Sequence, residues 1–180
     1  MTTTKSQVTA GTRVYLLNSL ISPHVALLVP QLKGLSNVGG GPRKKVDVSN
    51  FDSGAYDELQ GGRAAPPETS GELVLDLTNA GHQSLKALFE AGAAGSIGLI
   101  PFIVCESDDS TAPVVANGIL TGAVTASPKH WKGSSHYGYC YISDLSAKAA
   151  DNDVWRADFK LQVTGKTTWA AKGDLATKPY

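Results

Sequence analysis

The clearest alternation of apolar and polar residues lies near the end of the chain. Apolar side chains occupy every second position from Trp155 to Val163, and polar side chains occupy most positions between them. A period of two residues is typical of a strand with one face in the core and one face exposed. The pattern predicts a long strand whose exposed face carries Arg156, Asp158, Lys160 and Gln162.

Shorter apolar segments predict about seven more strands. The segment at residues 97–105 is almost continuously apolar, which favours a strand buried on both faces, and its Pro101 favours a bulge or an edge position. The segment at residues 72–77 alternates, and its buried side carries Leu73, Leu75 and Leu77. The others are residues 13–17, 25–29, 46–49, 119–126 and 137–142, with a polar turn predicted at 144–152.

One amphipathic helix is predicted in the middle of the chain. Asn79 is of a residue type that caps helix N-termini, and Gly92 is expected to end the helix. His82 in the first turn is expected to be a partly buried packing residue. The apolar face of the helix carries, at helical spacing, Leu85, Leu88 and Phe89.

These elements predict a mainly β protein. Strands without alternating helices favour an antiparallel β-sandwich or barrel with one flanking α-helix. We expect this domain at residues 13–168, a flexible N-terminal arm at 1–12 and a C-terminal arm at 169–180. Residues 54–70 contain Gly-Gly and Pro-Pro, so we expect a long loop there, with no helix and no central strand.

Composition and charge exclude several functional classes. The 180 residues carry 16 basic and 16 acidic side chains, so the chain has no global basic field with which to hold nucleic acid. Two cysteines do not make a disulfide scaffold in a domain of this size. The N-terminus lacks the pattern of a secretory signal, and no apolar run is long enough to cross a bilayer. We expect a protein made and assembled in the cytoplasm.

Candidates for a chemical site are weak. His130, His136 and Cys140, with Cys105 as a fourth ligand, are spaced more loosely than the ligands of structural zinc sites. Histidines at the boundary of a hairpin are the better interpretation, so we expect no metal and no cofactor. The sequence also lacks a Gly-x-Ser-x-Gly nucleophile elbow and a phosphate-binding loop. We therefore expect no catalytic residues.

Five segments, in this order, resemble one known family. They are the glycines that begin at Gly34, residues 47–53, residues 72–77, the helix start at 79–83 and the Val-Thr-Gly-Lys end of the last strand. This arrangement resembles the tail tube proteins of bacteriophages with long non-contractile tails, the lambda-like siphoviruses. The resemblance does not extend to residues 129–153. The residues that carry it are Gly34, Asp47, Val48, Asp52, Ser53, His82, Gly165 and Lys166.

The resemblance implies a structural virion protein that is not an enzyme. Members of this family form hexameric rings, and the rings stack into the tail tube around a tape-measure protein, between tail tip and terminator proteins. Viral DNA passes through the lumen into the host without specific binding. The resemblance therefore also implies assembly in the host bacterial cytoplasm and a final location in the virion tail.

A physical argument for assembly starts from strand edges. Free edges must be covered or paired with another chain, and a head-to-tail contact that does not close generates a filament. The loop at residues 54–70 is longer than typical connections and suits a contact between rings. Ordering it costs about 1–2 kcal/mol per residue, so a preformed ring is the partner that offsets this cost. The contact candidates are Tyr56, Asp57, Glu58, Leu59, Arg63, Arg43, Lys44 and Lys45; the alternative is that these residues are simply solvated.

Other functions fit the sequence less well. A tail terminator or an injection-system tube subunit has the same fold, and a terminator would stop after one ring. A small metal-dependent enzyme would use His130, His136 and Cys140. An RNA-binding β-domain would stack bases on a tyrosine stripe at positions 137, 139 and 141, but no basic groove surrounds that stripe.

Overall fold

The computed structural model describes residues 11–38, 43–47, 59–107, 111–116, 119–121, 133–149 and 155–170. In these residues the chain forms eleven strands and one helix. In chain order they are β1 (Arg13–Asn18), β2 (Val25–Leu28), β3 (Leu32–Ser36), β4 (Arg43–Asp47), β5 (Leu59–Ala64), β6 (Glu68–Val74), α1 (Ala80–Ala93), β7 (Ile100–Cys105), β8 (Val114–Ala116), β9 (Ile119–Thr121), β10 (Ser135–Ala149) and β11 (Trp155–Ala170).

Seven of the strands form one antiparallel sheet in the order β2-β1-β7-β10-β11-β6-β3. The long strands β10 and β11, of 15 and 16 residues, pair with each other along most of their length. The pairs β4–β5 and β8–β9 form two separate two-stranded sheets. The predicted fold class, a mainly β antiparallel domain with one helix beside it, is therefore confirmed.

The two ends of the seven-stranded sheet are joined by one short stretch of chain. Every neighbouring pair in the sheet is antiparallel, so β2 and β3, at opposite ends, run in the same direction. The connection between them is short: four Cα–Cα steps span at most about 15 Å. Within it, Val29 donates a hydrogen bond to Val14 of β1, and Gln31 accepts one from Val74 of β6. The strands β2 and β3 are therefore two halves of one bent strand that curls the sheet into a barrel.

The core lies on both sides of this sheet. The larger part is on the side of α1 and includes Leu16, Phe102, Phe159, Leu85 and Leu88. On the opposite side, the β8–β9 hairpin covers β1 and β7, and a smaller cluster there contains Tyr15, Leu17, Ile103, Tyr137 and Leu120. The β6 and β11 part of that opposite side carries polar residues instead.

The helix begins as predicted. The side-chain oxygen of Asn79 accepts a hydrogen bond of 2.8 Å from the amide of Gly81, which makes Asn79 the N-cap. Leu85 and Leu88 are buried, and Phe89 packs partly buried against the same core.

The end of the helix is later than predicted. The helix continues past Gly92 to Ala93, and Gly95, with a φ of 69°, is the left-handed residue at which the chain turns away. Gly92 is therefore an ordinary helical position and not the stop signal.

The loop predicted at residues 54–70 is wrong in its second part. Residues 59–64 form β5, and β6 begins at Glu68. Because β6 pairs with β11 on one side and β3 on the other, a central strand directly follows the Pro66–Pro67 pair. The prolines do not prevent this, since both lie before the first residue of the strand. Residues 54–58 lie outside the described residues.

The end predicted for the strand at residues 72–77 and the buried position predicted for Leu77 also need correction. β6 ends at Val74, and Leu77 is 64% exposed because the chain has already entered a turn before α1. In that turn the Asp76 carboxylate accepts hydrogen bonds from the amide and the hydroxyl of Thr78, which lower the pKa of Asp76.

The polar turn predicted at residues 144–152 is also wrong where it is described. Residues 144–149 continue β10 and pair with β11. Asp144, Ser146 and Lys148 alternate with Leu145 and Ala147, so the polar residues are the outer face of a strand.

Pro101 lies in a central strand and not at an edge or a bulge. The pairing of β7 with β10 is continuous, whereas the pairing with β1 ends at Phe102. Proline has no amide hydrogen to donate to a neighbouring strand. Because Pro101 lies one residue beyond the β1 pairs, none of those pairs needs that hydrogen.

The limits of the predicted arms remain predictions. β11 runs to Ala170, so the first two residues of the predicted C-terminal arm belong to this strand. Residues 1–10 and 171–180 lie outside the described residues, as do residues 122–126 of the strand predicted after β9. Among the described residues, no helix is long and apolar enough to span a membrane.

Candidate assembly site

The first candidate surface is a two-stranded arm, residues 43–64, inserted between β3 and β6. Its strands β4 and β5 pair with Arg43 opposite Ala64 and Asp47 opposite Leu59. In the described part of the chain, neither strand joins the main sheet. We call this segment the β4–β5 arm.

The arm brings together residues predicted to make contacts between subunits. Arg43, Lys44 and Lys45 lie on β4, and Leu59 and Arg63 lie on the paired strand β5. The other three candidates, Tyr56, Asp57 and Glu58, lie outside the described residues. The pairing of β4 with β5 thus places the basic residues of β4 and the contact residues of β5 on one hairpin, although they are separated in the sequence.

An arm of this kind is expected to need a partner. A two-stranded hairpin is marginally stable in water, and stability requires a third strand or a packed face. Among the described residues each strand of the arm pairs on one side only, and a strand edge of this kind can pair with another chain.

The second candidate surface is a charged face of the main sheet, on the side away from α1. We call it the ion-pair face, and it carries Lys33, Glu68, Glu72, Asp144, Lys148, Arg156, Asp158 and Lys160. Arg156 contacts Glu72 at 2.9 Å, and Lys148 contacts Asp158. Lys160 lies between two carboxylates, 3.6 Å from Glu68 and 3.9 Å from Asp144.

The ion pairs of this face contribute little to folding. Their side chains are between 34% and 63% exposed, and exposed pairs are worth about 0.2–1 kcal/mol. The hydrogen bond to Asp158 raises the pKa of Lys148, so this amine stays charged at any physiological pH. The ion pairs therefore hold charged side chains in place on the surface, and they add little to the stability of the domain. The sequence pattern had identified the β11 side of this face but not its partners on β6 and β10.

The histidine and cysteines considered as metal ligands are core residues. His136 is 1% exposed, Trp169 packs against its ring, and burial lowers the pKa of His136 to about 4. Cys105 and Cys140 are buried in the two different core clusters, on opposite sides of the sheet. They therefore cannot share one metal ion. His130 lies outside the described residues, and within the described ones no group of three ligands is close enough to hold a metal.

His82 ties the helix to the bent strand. Its Nε2 lies 3.3 Å from the carbonyl oxygen of Pro30, and its Nδ1 lies 3.2 Å from the amide nitrogen of Asp76. A ring protonated on Nε2 donates to Pro30 and accepts from Asp76. The buried position confirms the prediction of a packing residue at the helix start.

The other family-signature residues are spread over the fold. Gly34 has a φ of 67° at the irregularity in the β3–β6 pairing, and Gly165 has a φ of 76° where the β10–β11 register shifts. Both conformations favour glycine. Asp47 ends β4, and Lys166 follows Gly165 in β11. Val48, Asp52 and Ser53 lie outside the described residues.

The tyrosine stripe does not form an open stacking platform. Tyr137 is 3% exposed in the smaller core cluster, whereas Tyr141 is 46% exposed. Because one ring of the stripe is buried, the face cannot stack three successive bases.

Comparison with known protein families gives a match over most of the chain. The model described as "Phage tail tube, TTP, lambda-like" matches residues 5–173. No curated protein sequence matches the chain significantly.

Solved structures with a similar fold come from several tubes. The tail of an empty gene transfer agent particle, refined with C6 symmetry, aligns with a TM-score of 0.60 at 15% identity, over 92% of this chain and 100% of that chain. The sheath–tube complex of an extracellular contractile injection system gives 0.62 at 7% identity, over 94% of each chain. The SPP1 tail tube gives 0.53 at 14% identity, over 89% of this chain and 78% of that chain. At these identities the likeness shows the fold.

Proposed function

Because this chain belongs to the lambda-like family of phage tail tube proteins, we propose that its copies close into hexameric rings that stack into the tube of a virion tail. Family membership makes the chain a structural subunit of a tail tube. The proposed product is a hollow polymer through which viral DNA leaves the particle, and the subunit has no catalytic role in it.

The observation that carries the stacking proposal is the β4–β5 arm. It branches from the domain between β3 and β6 and pairs with no other strand in the described residues. A neighbouring ring supplies the surface that such a hairpin lacks on its own. The basic residues of β4, Arg43, Lys44 and Lys45, then meet acidic or carbonyl groups of that ring.

This arrangement also accounts for controlled growth. Fixing each residue of the arm costs about 1–2 kcal/mol, and a single free monomer does not offset that cost. An existing ring presents several subunits in fixed positions and offsets it. Free chains therefore add to a seed and do not polymerise spontaneously. The seed in the particle is the tail tip, the tape-measure protein sets the length, and the terminator covers the last ring.

Electron microscopy of the purified chain tests the function. At rising concentration, and with fragments of tube added as seeds, negatively stained samples should show hollow cylinders with six-fold end views. Separate particles at every concentration, with and without seeds, would contradict the proposal.

A variant without the arm tests the stacking contact. Arg43 pairs directly with Ala64, so an Asn-Gly turn in place of residues 44–63 can join the two strand ends without moving them. This variant should remain a folded monomer and should not lengthen seeds of the unmodified chain. The control is Lys86→Ala on the exposed side of α1, which should lengthen seeds normally. Tubes of normal length from the armless variant would remove the arm from the mechanism.

Two related roles are the alternatives. The fold is also similar to a tube-terminating cap of an anti-feeding prophage, with a TM-score of 0.53 at 10% identity. A terminator stops after one ring, whereas a tube subunit continues, so the length of the polymers in the same micrographs separates these roles. An injection-system tube would grow in the same way and would require a contractile sheath as its partner.

A further inference from the structure

The side of the main sheet away from α1 is divided into two parts. The β1 and β7 part is covered by the β8–β9 hairpin, and its side chains are apolar and buried. The β6, β10 and β11 part is the ion-pair face, whose charged side chains are partly exposed. Lys33 of β3 belongs to it, because it lies opposite Glu72 and lines the same shallow groove as Asp158 and Lys160.

The charges of the ion-pair face balance. Four are acidic, from Glu68, Glu72, Asp144 and Asp158, and four are basic, from Lys33, Lys148, Arg156 and Lys160. Three of the four basic side chains contact a carboxylate of a neighbouring strand. Carboxylates on neighbouring strands thus neutralise these three basic side chains.

We propose that the ion-pair face lines the lumen of the tube and that its cross-strand carboxylates keep its cations from binding DNA phosphates. This inference rests on the proposed function. A protein binds duplex DNA without sequence preference when lysine and arginine side chains replace the counterions of the phosphates. Because the four carboxylates balance the four cations, the face has no net positive charge with which to attract the phosphates, so the duplex slides along the wall and does not adhere to it.

The geometry of the sheet supports this assignment. The wall of a conduit needs a broad sheet surface that the rest of the subunit leaves uncovered. The α1 side of the sheet is filled by the larger core, and the β1–β7 part is covered by β8–β9. The ion-pair face is the broad uncovered sheet surface among the described residues, and it extends over four strands, β3, β6, β11 and β10.

A gold label tests where the face lies. Ser146 is exposed on β10 and points to the ion-pair face, so Ser146→Cys offers a thiol there without removing a charge. The native Cys105 and Cys140 are buried and do not compete for the label. Tubes of the variant are treated with a small maleimide gold cluster and imaged, with Ala87→Cys on the exposed side of α1 as the control for labelling outside the lumen.

The expected result is gold along the tube axis for Ser146→Cys and away from the axis for Ala87→Cys. Gold on the outer surface of Ser146→Cys tubes would overturn the inference while leaving the tube itself intact. If Ser146→Cys does not assemble, Ser70→Cys on β6 gives a second position on the same face, with the same two outcomes. A failure of the unmodified chain to form tubes would instead contradict the proposed function.

Charge removal tests the second half of the inference. The combined variant Glu68→Gln, Glu72→Gln, Asp144→Asn and Asp158→Asn leaves four basic side chains without carboxylates. Tubes of this variant should retain short duplex DNA in a nuclease-protected form at low salt, and they should release it as salt increases. Unmodified tubes should retain none. Equal retention by both tubes, or retained DNA that nuclease digests, would overturn the assignment.

Discussion

The indole ring of Trp169 packs against the imidazole of His136 at a tilt of 37°, with 4.4 Å between the ring centroids. Phe102 meets the same imidazole edge-on at 5.9 Å, so His136 lies between two aromatic rings. Among the described residues, neither of its buried ring nitrogens has a hydrogen-bond partner. Charging this buried imidazole costs free energy, so His136 contributes to the response of the domain to acid.

The first prediction is a loss of stability between pH 6.5 and about 4. Burial lowers the pKa of His136 from 6.5 to about 4 in the folded chain, so the unfolded chain binds the additional proton within this range. The free energy of unfolding should therefore fall as the pH drops through this range. Thermal unfolding of the armless variant, followed by tryptophan fluorescence, measures the change.

The matched control for this prediction is His136→Phe, which keeps an aromatic ring between Phe102 and Trp169. Its melting temperature should depend less on pH over the same range. Asp76, whose pKa is lowered, loses part of its stabilising effect as the pH falls towards about 4, but it is present in both proteins and its effect cancels in the comparison. An equal pH dependence in both proteins would show that His136 is not responsible.

The second prediction concerns the contact between β3 and β6. A methyl group on Gly71 would lie 2.7 Å from the carbonyl oxygen of Gly34 and 2.7 Å from a methyl carbon of Leu32. Gly71→Ala should therefore separate the strands and cost about 1–3 kcal/mol in urea unfolding. Gly92→Ala is the control: the space around it is open, and a helical alanine should add about 0.5–1 kcal/mol. A neutral Gly71→Ala would mean that β3 is free to move.

The third prediction concerns the packing of α1. Leu85 is 1% exposed in the larger core, so Leu85→Ala should lower the free energy of unfolding by about 2–5 kcal/mol. Phe89 is only partly buried, and its change to alanine should fall at the lower end of that range. The exposed Lys86→Ala should stay within about 0.5 kcal/mol of the unmodified chain. Unchanged melting of Leu85→Ala would mean that the helix does not seal the core.

Sequence patterns predicted the elements whose side chains alternate between core and solvent. The β11 pattern was correct from Ala157 to Val163, and the Asn79 cap and Leu85 identified α1, because local hydrogen bonding and burial determine these features. The pattern failed at residues 144–149, where a strand face rich in polar residues resembles a turn.

The two candidate surfaces were only partly predictable for a different reason. The sequence suggested contact residues within the 54–70 segment and before it, but only strand pairing places Arg43 opposite Ala64. The ion-pair face joins β11 to residues on β6 and β10 that are distant in the sequence, such as Glu72 and Lys148. Partners of this kind depend on sheet order, which a period of two residues does not contain.

The bent strand formed by β2 and β3 has a mechanical consequence. Since one segment completes both ends of the sheet, neither end can peel away without breaking backbone bonds at the other, through Val29 and Gln31. Amide hydrogens on β1 and β6 should therefore exchange only through the global unfolding reaction. A subunit under a pulling force along the tube should unfold in a single cooperative step.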